Sequence, residues 1–364
     1  MGDVISSFLF QPPSKPTPLD QSKYFFIETA EKHVIPAIFI KANNKMNVPT
    51  ILYSHGNAED LGLIYDYLSD ISTLLRVNII AYDYTGYGLR KNDKKPSEES
   101  CYHDIDAVYH YLTTVESIPA ENIILYGRSV GSGPSCYLAQ RISKEIGPEN
   151  GLGGLILHSP FISVFRIAID LGFTTNVDIF PNIERIKDIS CPILIIHGTK
   201  DDIVPFNHGQ QLFSSAQDQT NSMSFWADKM GHNNIEMEMP IVFLRKLQTF
   251  IRKACKLSKK VHSKDAKTTK QIFATTVSTP KFYNENSPGA DAQRHKQTLH
   301  DENGFELEYI EIETSPVKRQ FPFVLNEDNS ASDECIESRQ YVVTTSYPSD
   351  ILDNSTSERI EAEQ

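Results

Sequence analysis

The feature that most limits what this chain can fold into is an alternation. Eight short apolar runs lie between Tyr24 and Ala227: "YFFIET", "IPAIFIKA", "TILYS", "VNIIAYD", "NIILYG", "GLILHS", "PILIIHG" and "MSFWA". Each has the length and the β-branched or aromatic content of a buried strand. From the third run onward, longer stretches with helical spacing separate most of them, at 59–75, 98–115, 129–146, 207–216 and 233–253. An opening pair of strands followed by strand–helix alternation specifies an α/β fold, with a mostly parallel, doubly wound sheet of about eight strands covered on both faces. Sites in such sheets lie beyond the carboxyl ends of the strands.

One of those ends carries "ILYGRSVGSGP", Ile124 to Pro134. Gly-x-Ser-x-Gly is short enough to occur by chance, so its position between a strand pattern and a helix pattern carries the argument. A serine on that turn is the nucleophile elbow of an α/β hydrolase. Ser129 is then expected in strained backbone with its hydroxyl projecting. Side chains at Gly127 and Gly131 would collide with the neighbouring strand and helix.

An acyl-transfer serine also needs N–H donors aimed at the developing oxyanion. Val130 N–H follows the nucleophile, and Asn57 or Ala58 N–H in "YSHGNAEDLG" would supply the second donor, with Gly56 admitting the backbone. The same loop equally reads as a plain turn into a helix, capped by Asn57. Acid and base follow in the order Ser, Asp, His. "PILIIHGTKDD" offers Asp201 and Asp202, of which Asp201 comes first off the strand, and "GHNNIE" places His232 in a loop after "MSFWA". His55, in the same loop as Asn57, His158 before a turn, His197 at a strand end and His208 opening a helix have duller readings, and none sits in a loop after the aspartate with a glycine before it. Asp83 in "AYDYTGYG" reads as a structural hydrogen-bonding residue.

Taken together, "YSHGNAEDLG", "YDYTGYG", "GRSVGSGP", "HSPF", "FPNIERI", "CPILIIHGTKDDIV" and "GHNNIE" resemble the alpha/beta-hydrolase-domain-17 family over about residues 20 to 255. The family's serine hydrolases remove palmitoyl groups from cysteines of membrane-associated proteins. The resemblance implies a Ser129–Asp201–His232 triad, S-acylated proteins as partners and substrates, and no cofactor or metal. More distantly the motifs are similar to Bem46-type esterases, so chemistry transfers more safely than substrate. A carboxylesterase or lipase, and a catalytically silent scaffold, are the competing classes.

The chain departs from that family at its ends. The family's N-terminal cysteine cluster is missing: the first of five cysteines is Cys101. Scattered, odd in number and without a Cys-x-x-Cys pair, the cysteines argue for a reduced, cytosolic setting and against a zinc site. "MGDVISSFLF" fits a myristoylation pattern at Gly2. Phe8, Leu9 and Phe10 could then dip into a lipid interface beside it, with the basic run at 252–270 as a second signal. Localisation at the cytosolic face of membranes is the resulting expectation. A net charge of −12 disfavours nucleic acid. The domain reading is a flexible segment 1–19, a catalytic domain 20–255 and a polar tail 256–364, basic then acidic, whose composition favours disorder and whose partner is unspecified. Only about thirty residues separate "GLILHS" from "PILIIHG", which implies a minimal cap and an open site. Phe161, Ile162, Phe165 and Phe173 are candidates to line an acyl groove there, although such a stripe is commonly core.

Overall fold

The computed structural model describes residues 9–42, 48–91, 94–147, 151–168, 178–265, 295–300, 306–312 and 319–321, with backbone alone for 255–265 and the three last stretches. All eight expected strands form. β1 (Phe25–Glu28) and β2 (Val34–Ile40) make an antiparallel hairpin, and β2 pairs antiparallel with β4 (Asn78–Tyr82). From there β3 (Thr50–Ser54), β5 (Ile123–Arg128), β6 (Gly154–His158), β7 (Ile193–Gly198) and β8 (Met223–Ala227) run parallel, giving the order β1-β2-β4-β3-β5-β6-β7-β8. After β4 the chain recrosses β3 to lay down β5. The order therefore reverses between β3 and β5, and a crevice opens at their carboxyl ends.

The helices are α1 (Leu61–Leu75), α2 (Glu98–His110), α3 (Ser132–Ile146), α4 (Phe206–Ser215) and α5 (Pro240–Asp265). Asp60 caps α1 by accepting from Leu63 N–H at 3.0 Å, and left-handed Arg76 ends it. Ser97 and Ser100 form a capping box that starts α2. That helix runs on into a π-turn at Tyr111–Val115, so its apolar pattern persists to 115. Successive side chains of a strand point to opposite faces, which divides the core in two. Leu52, Leu125, Leu155 and Ile195 pack with Ile105 of α2, Leu138 of α3 and Leu212 of α4. Ile51, Ile124, Ile156 and Leu194 pack with Leu68 of α1 and Phe243 and Leu247 of α5. With both faces covered, β3, β5, β6 and β7 are buried along their whole length, whereas the edge strand β1 leaves Phe26 exposed.

Two boundaries differ from expectation. Residues 9–19, read from sequence as part of a flexible segment, are a strap fastened to the domain. Phe10 is only 5% exposed and packs edge-on against Phe180 at 6.2 Å. Gln11 N–H donates to Asn57 Oδ1 at 2.9 Å, Thr17 N–H to Asp60 Oδ2 at 2.7 Å, and Lys91 Nζ to the Pro13 carbonyl. A phenylalanine so placed gains more from the core than from a lipid interface, which removes Phe10 from the expected membrane contact. At the other end α5 continues to Asp265, so the 255/256 boundary falls inside a helix. Farther on, β9 (His295–His300), β10 (Glu306–Ile312) and β11 (Arg319–Phe321) pair antiparallel, and the acidic–apolar alternation lies on β10. Among the described residues, no helix is long and apolar enough to cross a membrane.

Candidate active site

β5 delivers Ser129 to the crevice on a turn with no room for larger neighbours. Ser129 has φ 50, in the left-handed region that side chains avoid. A Cβ at Gly127 would stand 2.4 Å from the Gly131 carbonyl oxygen, and one at Gly131 2.1 Å from that of Ser54 in β3. These are backbone atoms and cannot step aside, so the pattern's glycines are dictated by the close passage of elbow, helix and strand. Asn182, fully buried, donates to Ser132 Oγ at 3.2 Å and to the Phe161 carbonyl at 3.1 Å, bracing the start of α3 from the other side.

The three residues chosen from sequence meet. His232 Nε2 lies 3.0 Å from Ser129 Oγ, and His232 Nδ1 lies 2.8 Å from Asp201 Oδ2. They span 103 and 31 positions of chain and converge because each sits just past the carboxyl end of its strand. Asp201 is held from several sides. Its Oδ1 accepts from Val204 N–H at 2.8 Å and Ile203 N–H at 3.0 Å, and buried His197 Nε2 approaches Oδ2 at 3.3 Å. Burial alone would raise this carboxyl. The hydrogen bonds of His197 and His232 outweigh that and keep it below the ordinary carboxylate range, so it stays ionised beside His232. Asp202 is exposed.

The turn after β3 is equally constrained. Gly56 N–H is spent on Glu59 Oε2 at 2.7 Å, which leaves Asn57 and Ala58 as its candidate oxyanion donors opposite Val130. Tyr84 Oη donates to the His55 carbonyl at 2.7 Å, and Tyr87 Oη to Asn57 Oδ1 at 2.8 Å. Ala58 takes φ 57. The Asn57 side chain is thus occupied by Tyr87 and the strap rather than by capping; Asp60 caps α1 instead.

The remaining polar residues have structural places. Asp83 accepts from Leu61 N–H at 2.9 Å, and burial drives its carboxyl well above the usual range. His55 is buried, its Nδ1 bonded to the Gly56 carbonyl at 2.8 Å, and burial lowers its pKa. His158 lies under the site with its Nδ1 3.0 Å from Tyr126 Oη, and burial with nearby Arg128 holds it well below its usual value. His208 is buried in α4.

The proposed acyl-groove residues divide. Phe161 and Ile162 are 1% and 0% exposed and belong to the core between sheet and helices, so they do not line a groove. Phe165 is half-buried at the start of a single helical turn, Phe165–Ala168. Phe173 and Gly2 lie outside the described residues. Among the described residues, Glu31, Glu99 and His103 bring donor atoms within 4.8 Å of one another. This trio is on the β1–β2 turn and α2, and Glu31 is already paired with Lys94 at 2.9 Å. Four polar residues that sequence reading passed over, Glu59, Arg128, Asn233 and Glu236, join beneath the Ser129–His232 pair.

A mixed eight-stranded sheet with its serine elbow after β5, at the point where strand order reverses, is the architecture of the α/β hydrolases. Solved structures agree on the fold: the Pyrococcus furiosus esterase Pf2001 superposes with a TM-score of 0.52 at 15% identity, covering 68% of this chain and 98% of that one. No family model matches the chain. Curated relatives are closer. Alpha/beta hydrolase domain-containing protein 17C of Mus musculus is 36% identical over 234 residues, 64% of this chain and 68% of its own length. The human 17B protein is 36% identical over 233 residues, 64% and 76% of the two chains. Alpha/beta hydrolase domain-containing protein aho-3 of Caenorhabditis elegans is 39% identical over 204 residues, 56% and 57% of the two. This chain belongs to the alpha/beta hydrolase domain-containing protein 17 family.

Proposed function

We propose that the protein is a serine hydrolase that removes S-acyl groups from cysteines of membrane-associated proteins. The observation that carries the reading is the hydrogen-bonded chain Ser129–His232–Asp201, with links of 3.0 and 2.8 Å, set on a left-handed serine at the crevice. In the proposed reaction His232 Nε2 takes the Ser129 hydroxyl proton as the oxygen attacks the thioester carbonyl. Asp201 fixes the imidazole tautomer and stabilises its charged form. Val130 N–H, with Asn57 or Ala58 N–H, receives the oxyanion. Collapse expels the cysteine thiolate, which takes the proton from His232. A water deprotonated by His232 then attacks the acyl-enzyme, and the fatty acid leaves as Ser129 regains its proton.

The short β6–β7 connection supports an acyl chain presented by a protein, since it leaves little chain to build a roof over the crevice. Membrane attachment through an acylated Gly2 and the basic run at 252–270 is part of the same proposal. Fluorophosphonate labelling of the wild type, absent in Ser129→Ala, tests the nucleophile. Release of palmitate from an S-palmitoylated peptide, compared with hydrolysis of a short-chain ester, tests the substrate. Faster turnover of the ester would assign a carboxylesterase instead, and an unlabelled wild type would leave only a silent scaffold.

A further inference from the structure

The Arg128 side chain is a charge the reaction as described does not use. It closes β5 immediately before Ser129, and every residue of that strand is buried. Its side chain is 11% exposed, yet the guanidinium reaches two other segments of the site. Nη1 donates to Glu59 Oε1 at 2.5 Å, while Nη2 donates to Asn233 Oδ1 at 3.1 Å and approaches Glu236 Oε1 at 3.4 Å. Glu59 passes the connection on, because its second oxygen accepts Gly56 N–H at 2.7 Å. Asn233 directly follows His232. One fork therefore joins the turn that offers Asn57 and Ala58, the elbow that carries Ser129, and the loop that carries His232.

As a device for stability this network is poor. Two carboxylates face one guanidinium, and Glu236 Oε2 lies 3.8 Å from His158 Nε2 with neither atom hydrogen-bonded. Buried ion networks of this kind are often matched or exceeded in stability by apolar packing. What a planar fork does supply is geometry: five donors at fixed angles can span two carboxylates and an amide, which a point charge on a flexible stem cannot.

We propose that Arg128 is a positioning residue for acyl transfer, its guanidinium holding the oxyanion turn and the His232 loop in register with Ser129 before substrate arrives. The proposal rests on the serine-hydrolase reading above. Its action is on the transition state, because the nucleophile, base and oxyanion donors must be aligned together there.

The test uses the full chain and three variants: Arg128→Lys, Arg128→Met, and a triple variant combining Arg128→Met with Glu59→Gln and Glu236→Gln. The last removes every charge of the network and so leaves no carboxylate buried without its partner. Turnover of a p-nitrophenyl ester, the rate of fluorophosphonate labelling, and hydrogen exchange in peptides spanning 55–62 and 231–238 are measured for each. Arg128→Lys and the triple variant are expected to fold, with kcat and labelling rate lower by on the order of 10²-fold and KM within about threefold. Exchange should rise in both peptides together and stay unchanged in the β5 and β6 core. A folded triple variant with kcat within about threefold of wild type, or unchanged exchange in both peptides, overturns the proposal. A wild type that neither labels nor turns over overturns the serine-hydrolase reading and this proposal with it, whereas normal turnover by wild type and triple variant alike overturns only the positioning role.

Discussion

At φ 50, Ser129 holds a conformation that costs a residue with a side chain about 1–3 kcal/mol. Glycine enters that region without the steric penalty. Ser129→Gly is therefore expected to abolish labelling and raise the melting temperature by a few degrees, about 2–4 °C per kcal/mol for a domain of this size. Differential scanning calorimetry checks it, and a lowered melting temperature would show that the serine is not strained. The acid is tested similarly. Asn at 201 would turn an amide toward one of the donors now held by carboxylate, so Asp201→Asn is expected to lower kcat by about 10⁴-fold. Exposed Asp202→Asn should stay within about threefold on the same assay. These three residues were legible because each lies in a short pattern read with its own strand. Arg128 and its partners were not, since their pairing joins positions 69 to 108 apart and a charged residue in sequence reads as solvated surface. The available clue was an arginine at the end of an otherwise apolar run with no polar neighbour before it.

The elements are joined to the site by buried polar ties that periodicity does not reveal. Thr85, after β4, gives its N–H and its hydroxyl to Asp104 of α2, each at 2.7 Å. Burial pushes the Asp104 carboxyl up to about 7, with the Thr85 bonds pulling the other way. Its pKa in an unfolded chain is about 3.9, so between those values the folded state holds a proton that the unfolded state has released. The stability from this group is therefore complete below about pH 4 and is lost as pH rises through about 7. Asp104→Asn has no such titration. Its melting temperature relative to wild type should improve between about pH 4.5 and pH 7.5, and a constant difference would show that Asp104 does not titrate there. Strand and helix positions were readable because the central strands β3, β5, β6 and β7, covered on both faces, are buried along their whole length. The stripe after β6 was ambiguous for the same reason: Phe161 and Ile162 are apolar for the core, and nothing in their spacing separates core from groove.

Across the whole molecule, the strap at 9–19 changes what counts as the folded domain. Its composition is mostly proline and polar residues, so sequence gave no periodic signal; Phe10 alone supplies the buried anchor. Phe10→Ala is expected to destabilise the domain by about 3–5 kcal/mol. Deleting residues 1–19 should lower the urea midpoint at least as far, because the bonds to Asn57 and Asp60 go with it. A deletion with an unchanged midpoint would show the strap to be a bystander. Phe10 and its partner Phe180 also impose an order in time. Phe180 leaves the ribosome about 170 residues after Phe10, which at 5–20 residues per second is roughly 10–35 s of synthesis. Throughout that interval the seat for Phe10 lacks the ring it packs against. Once Phe180 arrives the seat closes over Phe10. The turn after β3, which accepts Gln11 N–H at Asn57, is thus tied to a strap whose neighbouring anchor, Phe10, meets its aromatic partner only after most of the domain has been synthesised.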